Sequence, residues 1–173
     1  MIEQQPLKGI RVIDLTRVLA GPFCTMNLAD LGAEVIKIEV PGRGDDSRGF
    51  APMLPNGDSG YFYSVNRGKK SITIDLRTKE GADLLVRLAD KSDVVVENFS
   101  PGTMERFGVG YQQLSASNPK IILCSISGFG QSGPMSSAPA YDIVAQALGG
   151  TMSITGYPDG DPLRCGVSIA RAS

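Results

Sequence analysis

The sequence predicts an α/β protein built on a doubly wound parallel sheet, and two observations carry that prediction. In residues 7–39, two short segments rich in Val and Ile flank a segment with helical spacing, which is the pattern of a strand–helix–strand unit. The same alternation returns in residues 71–97, and another strand-like segment follows at residues 121–126. A crossover through a helix makes the two strands that it joins parallel, so the alternation predicts a Rossmann-like sheet with helices on both faces.

Five segments have the composition of buried strands and are bounded by turn residues: Ile10–Leu15, Val35–Glu39, Ile72–Leu76, Val94–Glu97 and Ile121–Ile126. Helices are predicted between and after them, at Phe23–Leu31, Lys79–Ala89, Thr103–Phe107, Tyr111–Ala116 and Tyr141–Leu148. Pro22 is expected at the first helical position of the first helix, and Gly32 just past its end. Residues 41–66 are polar and rich in Gly and Pro, so we predict a long loop that serves a site or an interface.

Composition narrows the possible partners. The 173 residues carry 17 Lys and Arg against 18 Asp and Glu, so no basic surface for a nucleic-acid partner is predicted. No apolar run is long enough to cross a bilayer, and no membrane partner is expected. The first six residues contain neither a basic nor an apolar leader segment, which favours a cytoplasmic protein.

The cysteine and histidine content limits the chemistry. Cys24, Cys124 and Cys165 lack metal-ligand spacing and are predicted to be reduced core thiols. The chain has no histidine, which removes the commonest general base, the Ser–His nucleophile and most zinc sites. We therefore predict no metal site.

In doubly wound sheets, ligands bind at the carboxyl ends of the strands, near the point where the strand order reverses. The loops of interest are therefore residues 16–21, Arg77, residues 98–102 and residues 127–133. The last of these matches G-x-G-x-x-G from Gly128 to Gly133, but Pro134 and Pro139 follow where a dinucleotide site needs a helix. A dinucleotide-binding domain is thus a less favoured alternative.

Six segments of the chain resemble, in order and at the same spacing, the class III CoA-transferases. This family includes formyl-CoA transferase, the carnitine CoA-transferases and the bile-acid-inducible F proteins. The segments are GIRVIDLTRVLAGP at 9–22, DLGAEVIKIE at 30–39, NRGKKS at 66–71, VENFSPG at 96–102, SISGFGQSGP at 125–134 and YDIVAQ at 141–146. The subgroup that acts on succinyl-CoA and a dicarboxylic acid such as glutarate looks nearest.

The resemblance implies a reaction that requires no histidine. In these enzymes an aspartate carboxylate attacks an acyl-CoA thioester, which gives a mixed anhydride and then an enzyme-bound CoA thioester. Coenzyme A, an acyl-CoA and a carboxylic acid acceptor would be substrates, and no cofactor would be bound permanently. The full-length family forms an interlocked homodimer.

The resemblance also implies the positions of the CoA contacts. They fall at Leu19, Ala20, Ile74, Asp75, Leu76, Arg77, Asn98, Phe99, Ser100, Arg106, Pro139, Ala140, Tyr141 and Asp142. Two positions depart from formyl-CoA transferase, because Val40 and Pro139 stand where it has basic residues. The related α-methylacyl-CoA racemases have a histidine at the position of Tyr141, so racemase chemistry is disfavoured in a chain without histidine.

The end of the sequence departs most from the family. Arg171 stands where the resemblance puts the nucleophilic aspartate, and family members run to more than twice 173 residues. We therefore expect residues 1–173 to be the N-terminal part of a large CoA-binding domain, incomplete relative to the full-length family, with the small domain and the C-terminal segment absent. Two functions stay open: part of a CoA-transferase, inactive in this form, or a non-catalytic remnant that binds CoA or a partner chain.

Overall fold

The computed structural model describes residues 5–168, which contain a five-stranded sheet in which every neighbouring pair of strands is parallel. The strands are β1 (Arg11–Asp14), β2 (Glu34–Glu39), β3 (Lys70–Thr73), β4 (Val94–Glu97) and β5 (Ile122–Ser125). Their spatial order is β3-β2-β1-β4-β5. The predicted α/β fold is confirmed, with all five predicted strands in one sheet.

The helices within the described residues are α1 (Ala20–Asp30), α2 (Gly60–Asn66), α3 (Lys79–Ala89), α4 (Thr103–Arg106), α5 (Tyr111–Ser117) and α6 (Asp142–Leu148). Two short 3-10 helices occupy Asp46–Gly49 and Thr151–Ile154. Over residues 5–168, no helix has the length and apolarity that a bilayer crossing requires.

The first helix begins earlier than predicted. It starts at Ala20, so Pro22 is its third residue rather than its first. The change costs no hydrogen bond, because the first N–H groups of a helix have no partner within it. Gly32 follows the helix with a φ of +101°, a left-handed conformation that suits glycine and that was expected at this end.

Two other predictions need correction. The third strand was predicted at Ile72–Leu76 but spans Lys70–Thr73, because its partner β2 ends opposite Thr73 at Glu39. Residues 41–66 are not a continuous loop, since their last seven residues form α2. The side chain of Ser59 accepts a hydrogen bond from the Phe62 N–H and caps this helix, a start signal that the surrounding Gly and Pro residues concealed.

The core lies on both faces of the sheet. On one face Ile13 and Val95 pack with Leu85 of α3 and Leu114 of α5. On the other face a smaller cluster, which includes Val12, packs with residues of α1. Because alternate residues of a strand point to opposite faces, neighbouring residues such as Val12 and Ile13 of β1 contribute to the cores on the two faces. The three cysteines are free, but each is only half-buried.

Candidate functional site

The strand order reverses between β1 and β4, which are neighbours in the sheet. After β1 the chain enters α1, whose Leu28 packs on one face, whereas after β4 it enters α4, whose Met104 packs on the other. The two connections therefore separate at the carboxyl ends of these strands and leave a crevice, which is where doubly wound sheets bind ligands.

One cavity in this crevice, which we call the arginine cavity, has a volume of about 420 Å³. Its walls come from the end of β2, from the segments that follow β1, β2, β3 and β4, and from α4 and its C-terminal end. Four arginines line it, namely Arg17, Arg43, Arg77 and Arg106. Apolar side chains, among them Ile74, Leu76 and Phe107, line it as well. The arginine cavity thus combines cationic groups with apolar surface.

A second cavity, the loop cavity, has a volume of about 520 Å³. It lies between residues 98–101 after β4 and two stretches after β5, residues 127–128 and residues 136–141. Arg17, Phe99 and Ser100 line both cavities, so the two adjoin.

The structure brings most of the predicted site residues together. The arginine cavity is lined by Ile74, Asp75, Leu76, Arg77, Phe99, Ser100 and Arg106, and the loop cavity by Asn98, Phe99, Ser100, Pro139, Ala140 and Tyr141. Leu19, Ala20 and Asp142 line neither cavity. Leu19 and Ala20 lie at the start of α1, and Asp142 is buried and accepts a hydrogen bond from Gln146. Arg171 lies outside the described residues.

Two of the predicted arginines have partners within the chain. The Arg77 guanidinium donates from Nε and Nη2 to the two carboxylate oxygens of Asp75, each at 2.8 Å. These hydrogen bonds lower the pKa of the half-buried Asp75 carboxyl to about 2. Arg106 donates from Nη2 to Thr103 Oγ1 at 2.7 Å.

Arg17 was not among the predicted site residues, yet it stands at the junction of the two cavities. Its guanidinium carbon lies 5.5 Å from the centroid of the Phe99 ring, and its Nη1 lies 3.8 Å from Asp46. Its position placed it in the loop of interest at residues 16–21, but an arginine after a strand is ordinarily a surface charge, so it was not singled out.

Sequence reasoning also missed a buried ion pair in the wall of the arginine cavity. Lys37 Nζ lies 2.9 Å from Asp45 Oδ2, and both side chains are almost fully buried. Burial raises the pKa of the Asp45 carboxyl, but the charge of Lys37 and hydrogen bonds from Ser47 outweigh it, so that pKa lies below its ordinary value. A lysine between the apolar residues Ile36 and Ile38 of the predicted strand Val35–Glu39 was the available signal.

A second buried carboxylate lies beside the first. Glu39 ends β2 and accepts hydrogen bonds from Arg48 at 2.7 Å and from Ser71 at 2.5 Å. Burial opposes its ionisation, yet Arg48, Ser71 and the Asp45 N–H lower its pKa to about 2.

Glu97, the last residue of β4, differs from these acids. Burial raises the pKa of its carboxyl, although hydrogen bonds from Ser125 and from the Phe99 N–H oppose the rise. Its Oε2 accepts from the Phe99 N–H at 2.6 Å and fixes the start of the segment that separates the two cavities.

Asn98 lines the loop cavity but directs its amide group at the main chain of Arg17. Its Oδ1 accepts from the Arg17 N–H at 2.9 Å, and its Nδ2 donates to the Arg17 carbonyl at 2.8 Å. The side chain thus joins the segments after β1 and β4, the two strands between which the order reverses.

The glycine motif at residues 128–133 does not open a helix, because the next helix is α6, which begins at Asp142. Gly128 has a packing role instead. A Cβ at this position would lie 1.7 Å from Ala140 Cβ, so only glycine permits this approach between two walls of the loop cavity. Within residues 5–168, no group of three or more Cys, Asp or Glu residues is placed to hold a metal ion.

Comparisons of this chain with a family model and with known proteins indicate the same family. The model of CoA-transferase family III matches residues 7–172. Succinyl-CoA:glutarate CoA-transferase of Mus musculus is 53% identical over 165 residues, which cover 95% of this chain and 38% of that protein. Succinate–glutarate CoA-transferase of Agrobacterium fabrum is 48% identical, and acetyl-CoA:oxalate CoA-transferase of Acetobacter aceti is 50% identical, with 43% and 41% of those proteins covered.

A solved structure is similar over the same region. The crystal structure of a CAIB/BAIF family protein from Brucella suis superposes with a TM-score of 0.89 and 45% sequence identity. The match covers 96% of this chain and 45% of that one. The chain therefore spans about two fifths of the length of the curated relatives that it matches.

Proposed function

The chain belongs to CoA-transferase family III, and on that premise we propose that it is the CoA-binding part of an enzyme that moves CoA between an acyl-CoA and a carboxylic acid. One observation carries the proposal. Two adjoining cavities lie where the strand order reverses, and they are lined by residues at which the family's CoA contacts were expected. Coenzyme A and its thioesters act here as substrates, with no permanently bound cofactor.

The two cavities suit different parts of CoA. Guanidinium groups pair with phosphate oxygens through parallel hydrogen bonds, so Arg17, Arg43 and Arg106 in the arginine cavity would receive the phosphates. The apolar surface of Ile74 and Phe107 is available to the adenine ring. The loop cavity then receives the pantetheine arm, near Ser100 and Tyr141.

We propose a dicarboxylic acid as the acceptor and succinyl-CoA as the donor. Relatives at about 50% identity carry glutarate or oxalate in their names, and both are dicarboxylic acids. The complete protein would be a cytoplasmic, interlocked homodimer, and residues 1–173 the N-terminal part of its large domain.

A second candidate, a CoA-binding remnant without catalysis, is favoured by Arg171. In the family reaction, a carboxylate at this position attacks the acyl-CoA and forms an anhydride, which releases CoA thiolate. The thiolate then attacks the anhydride and gives the enzyme-bound CoA thioester. The arginine guanidinium stays protonated and offers no lone pair for the first attack. We therefore propose that the 173-residue chain binds CoA but does not transfer acyl groups.

Calorimetric titration with CoA tests the binding proposal, with Arg106→Ala as the variant and Arg87→Ala as the matched control. Arg87 is exposed in the last turn of α3, at the end of the sheet away from the cavities. We expect binding to the wild-type chain and to Arg87→Ala, and affinity at least about tenfold lower for Arg106→Ala, the loss expected for one charge-assisted hydrogen bond. Equal affinity of all three proteins would refute the assigned site.

A hydroxylamine trapping assay with succinyl-CoA and glutarate tests the catalytic proposal. No acyl transfer is expected from the 173-residue chain. Transfer by this chain, at a rate proportional to its concentration, would contradict the role assigned to position 171.

A further inference from the structure

The turn between β1 and α1, residues 16–18, holds an unusual backbone conformation. Val18 has a φ of +70°, in the left-handed region, which is rare for any residue other than glycine and an outlier for a β-branched one. Such a conformation persists only where the surrounding structure imposes it, and it is commonest at functional sites. Val18 lines the loop cavity, so the conformation shapes a wall of the proposed CoA site.

Side chains from β1 and β2 hold the first residue of this turn. The N–H and hydroxyl of Thr16 donate to Asp14 Oδ1 at 2.9 and 2.5 Å. The Thr16 carbonyl accepts from Lys37 Nζ at 2.7 Å. All three side chains are buried.

Two other buried side chains hold the next two residues. Asn98 accepts a hydrogen bond from the Arg17 N–H and donates one to the Arg17 carbonyl. Asp45 Oδ1 accepts from the Val18 N–H at 3.2 Å, while its other oxygen faces Lys37. The turn is thus held from β1, from β2, from the segment after β2 and from the segment after β4.

We infer that Asn98 is a positioning residue of the CoA site, which acts by holding the turn of residues 16–18 and not by binding CoA with its own amide. The side-chain oxygen and nitrogen of Asn98 are each already hydrogen-bonded to the Arg17 main chain. Arg17 and Val18 in turn line the cavities that would enclose CoA. The inference rests on the proposed function, because it concerns how the same site is shaped.

The test uses Asn98→Ala with Asn118→Ala as its control. Asn118 also donates its side-chain amide to main-chain carbonyls, those of Ala89 and Ser92, at the opposite end of the sheet. Two quantities are measured: amide hydrogen exchange at Arg17 and Val18 in the CoA-free chain, and the affinity for CoA. Asn98→Ala should accelerate exchange at both amides at least about tenfold and weaken CoA binding about tenfold, whereas Asn118→Ala should change neither.

A double-mutant cycle with Asp45→Ala, which removes the oxygen that accepts from the Val18 N–H, separates positioning from direct contact. Asn98 and Asp45 hold the same turn, so the double variant should bind CoA no more weakly than the weaker single variant. Multiplicative losses, or unchanged exchange at Arg17 in Asn98→Ala, would overturn the inference. If Asn98→Ala does not fold, Asn98→Asp carries the test, since it keeps the acceptor for the Arg17 N–H and loses the donor to its carbonyl.

The binding data also distinguish this inference from the proposed function. A wild-type chain that does not bind CoA would overturn the proposed function, and with it any role of Asn98 in CoA binding. A wild-type chain that binds CoA, together with an Asn98→Ala variant that binds it equally well, would overturn the inference alone.

Discussion

At the scale of single residues, the candidate site contains buried charged groups that are held by ion pairs and hydrogen bonds. Lys37, Asp45 and Glu39 line the arginine cavity with less than a tenth of their surface exposed. Removing one partner of such a set leaves the other charge buried and unpaired, which is costly. These residues therefore contribute both to the stability of the fold and to the shape of the site.

At Val18 we predict that a glycine variant is more stable than an alanine variant, which reverses the usual order. Glycine is ordinarily the less stable of the two by about 0.5–1 kcal/mol, but a left-handed conformation costs a residue with a Cβ about 1–2 kcal/mol. Val18→Gly should therefore unfold at a higher urea concentration than Val18→Ala. At Gln113, an exposed position of α5, the glycine variant should be the less stable one. The same order at both positions would contradict the strain assigned to Val18.

Glu39 gives a prediction about the stability of the fold at low pH. Its folded pKa of about 2 lies below the ordinary value of 4.5, so its contribution to stability is present above about pH 5 and is lost as the pH falls towards 2. The loss should reach about 2–3 kcal/mol in the free energy of unfolding. The Glu39→Gln variant lacks this contribution at every pH. The wild-type chain should therefore have the larger free energy of unfolding at pH 5, and the difference should shrink steadily between pH 5 and pH 2. A constant difference across that range would refute the assignment.

At the scale of elements, the sequence predicted what depends on local pattern. The five strands and the helix Lys79–Ala89 follow from apolar periodicity, and β4 has the bounds that were expected. Element ends were harder to predict where a neighbour decides them, as in β3, whose length is set by β2. The helix at Gly60–Asn66 was missed because its cap, Ser59, lies in a stretch whose glycines and prolines indicate a loop.

The helix α3 gives a matched test of core packing, because two consecutive leucines differ in burial. Leu85 is fully buried among residues of β1 and β4, whereas Leu84 is 39% exposed. Leu85→Ala should lower the free energy of unfolding by about 2–5 kcal/mol, the usual cost of a cavity at a buried leucine. Leu84→Ala should cost less than about 1 kcal/mol. Similar losses for both variants in urea unfolding would contradict the described face of α3.

At the scale of the whole molecule, the site follows from strand order. Periodicity and the crossover rule predicted that the strand ends meet at one edge, and most of the CoA contacts that the resemblance implied line the two cavities there. Neither could identify Lys37 and Asp45 as partners, since they come together only when the segment after β2 folds back over the end of the sheet. The role of Asn98 towards Arg17, 81 residues away along the chain, was hidden for the same reason.

The most direct test of the central claim, that CoA binds at the carboxyl edge of the sheet, is a titration of the isotope-labelled chain with CoA followed by amide chemical shifts. The largest changes should occur at Arg77, Ser100 and Arg106, around the arginine cavity. The amide of Lys91, which precedes β4 at the opposite edge, should not shift. Saturable changes centred on that opposite edge, or no changes at millimolar CoA, would contradict the account.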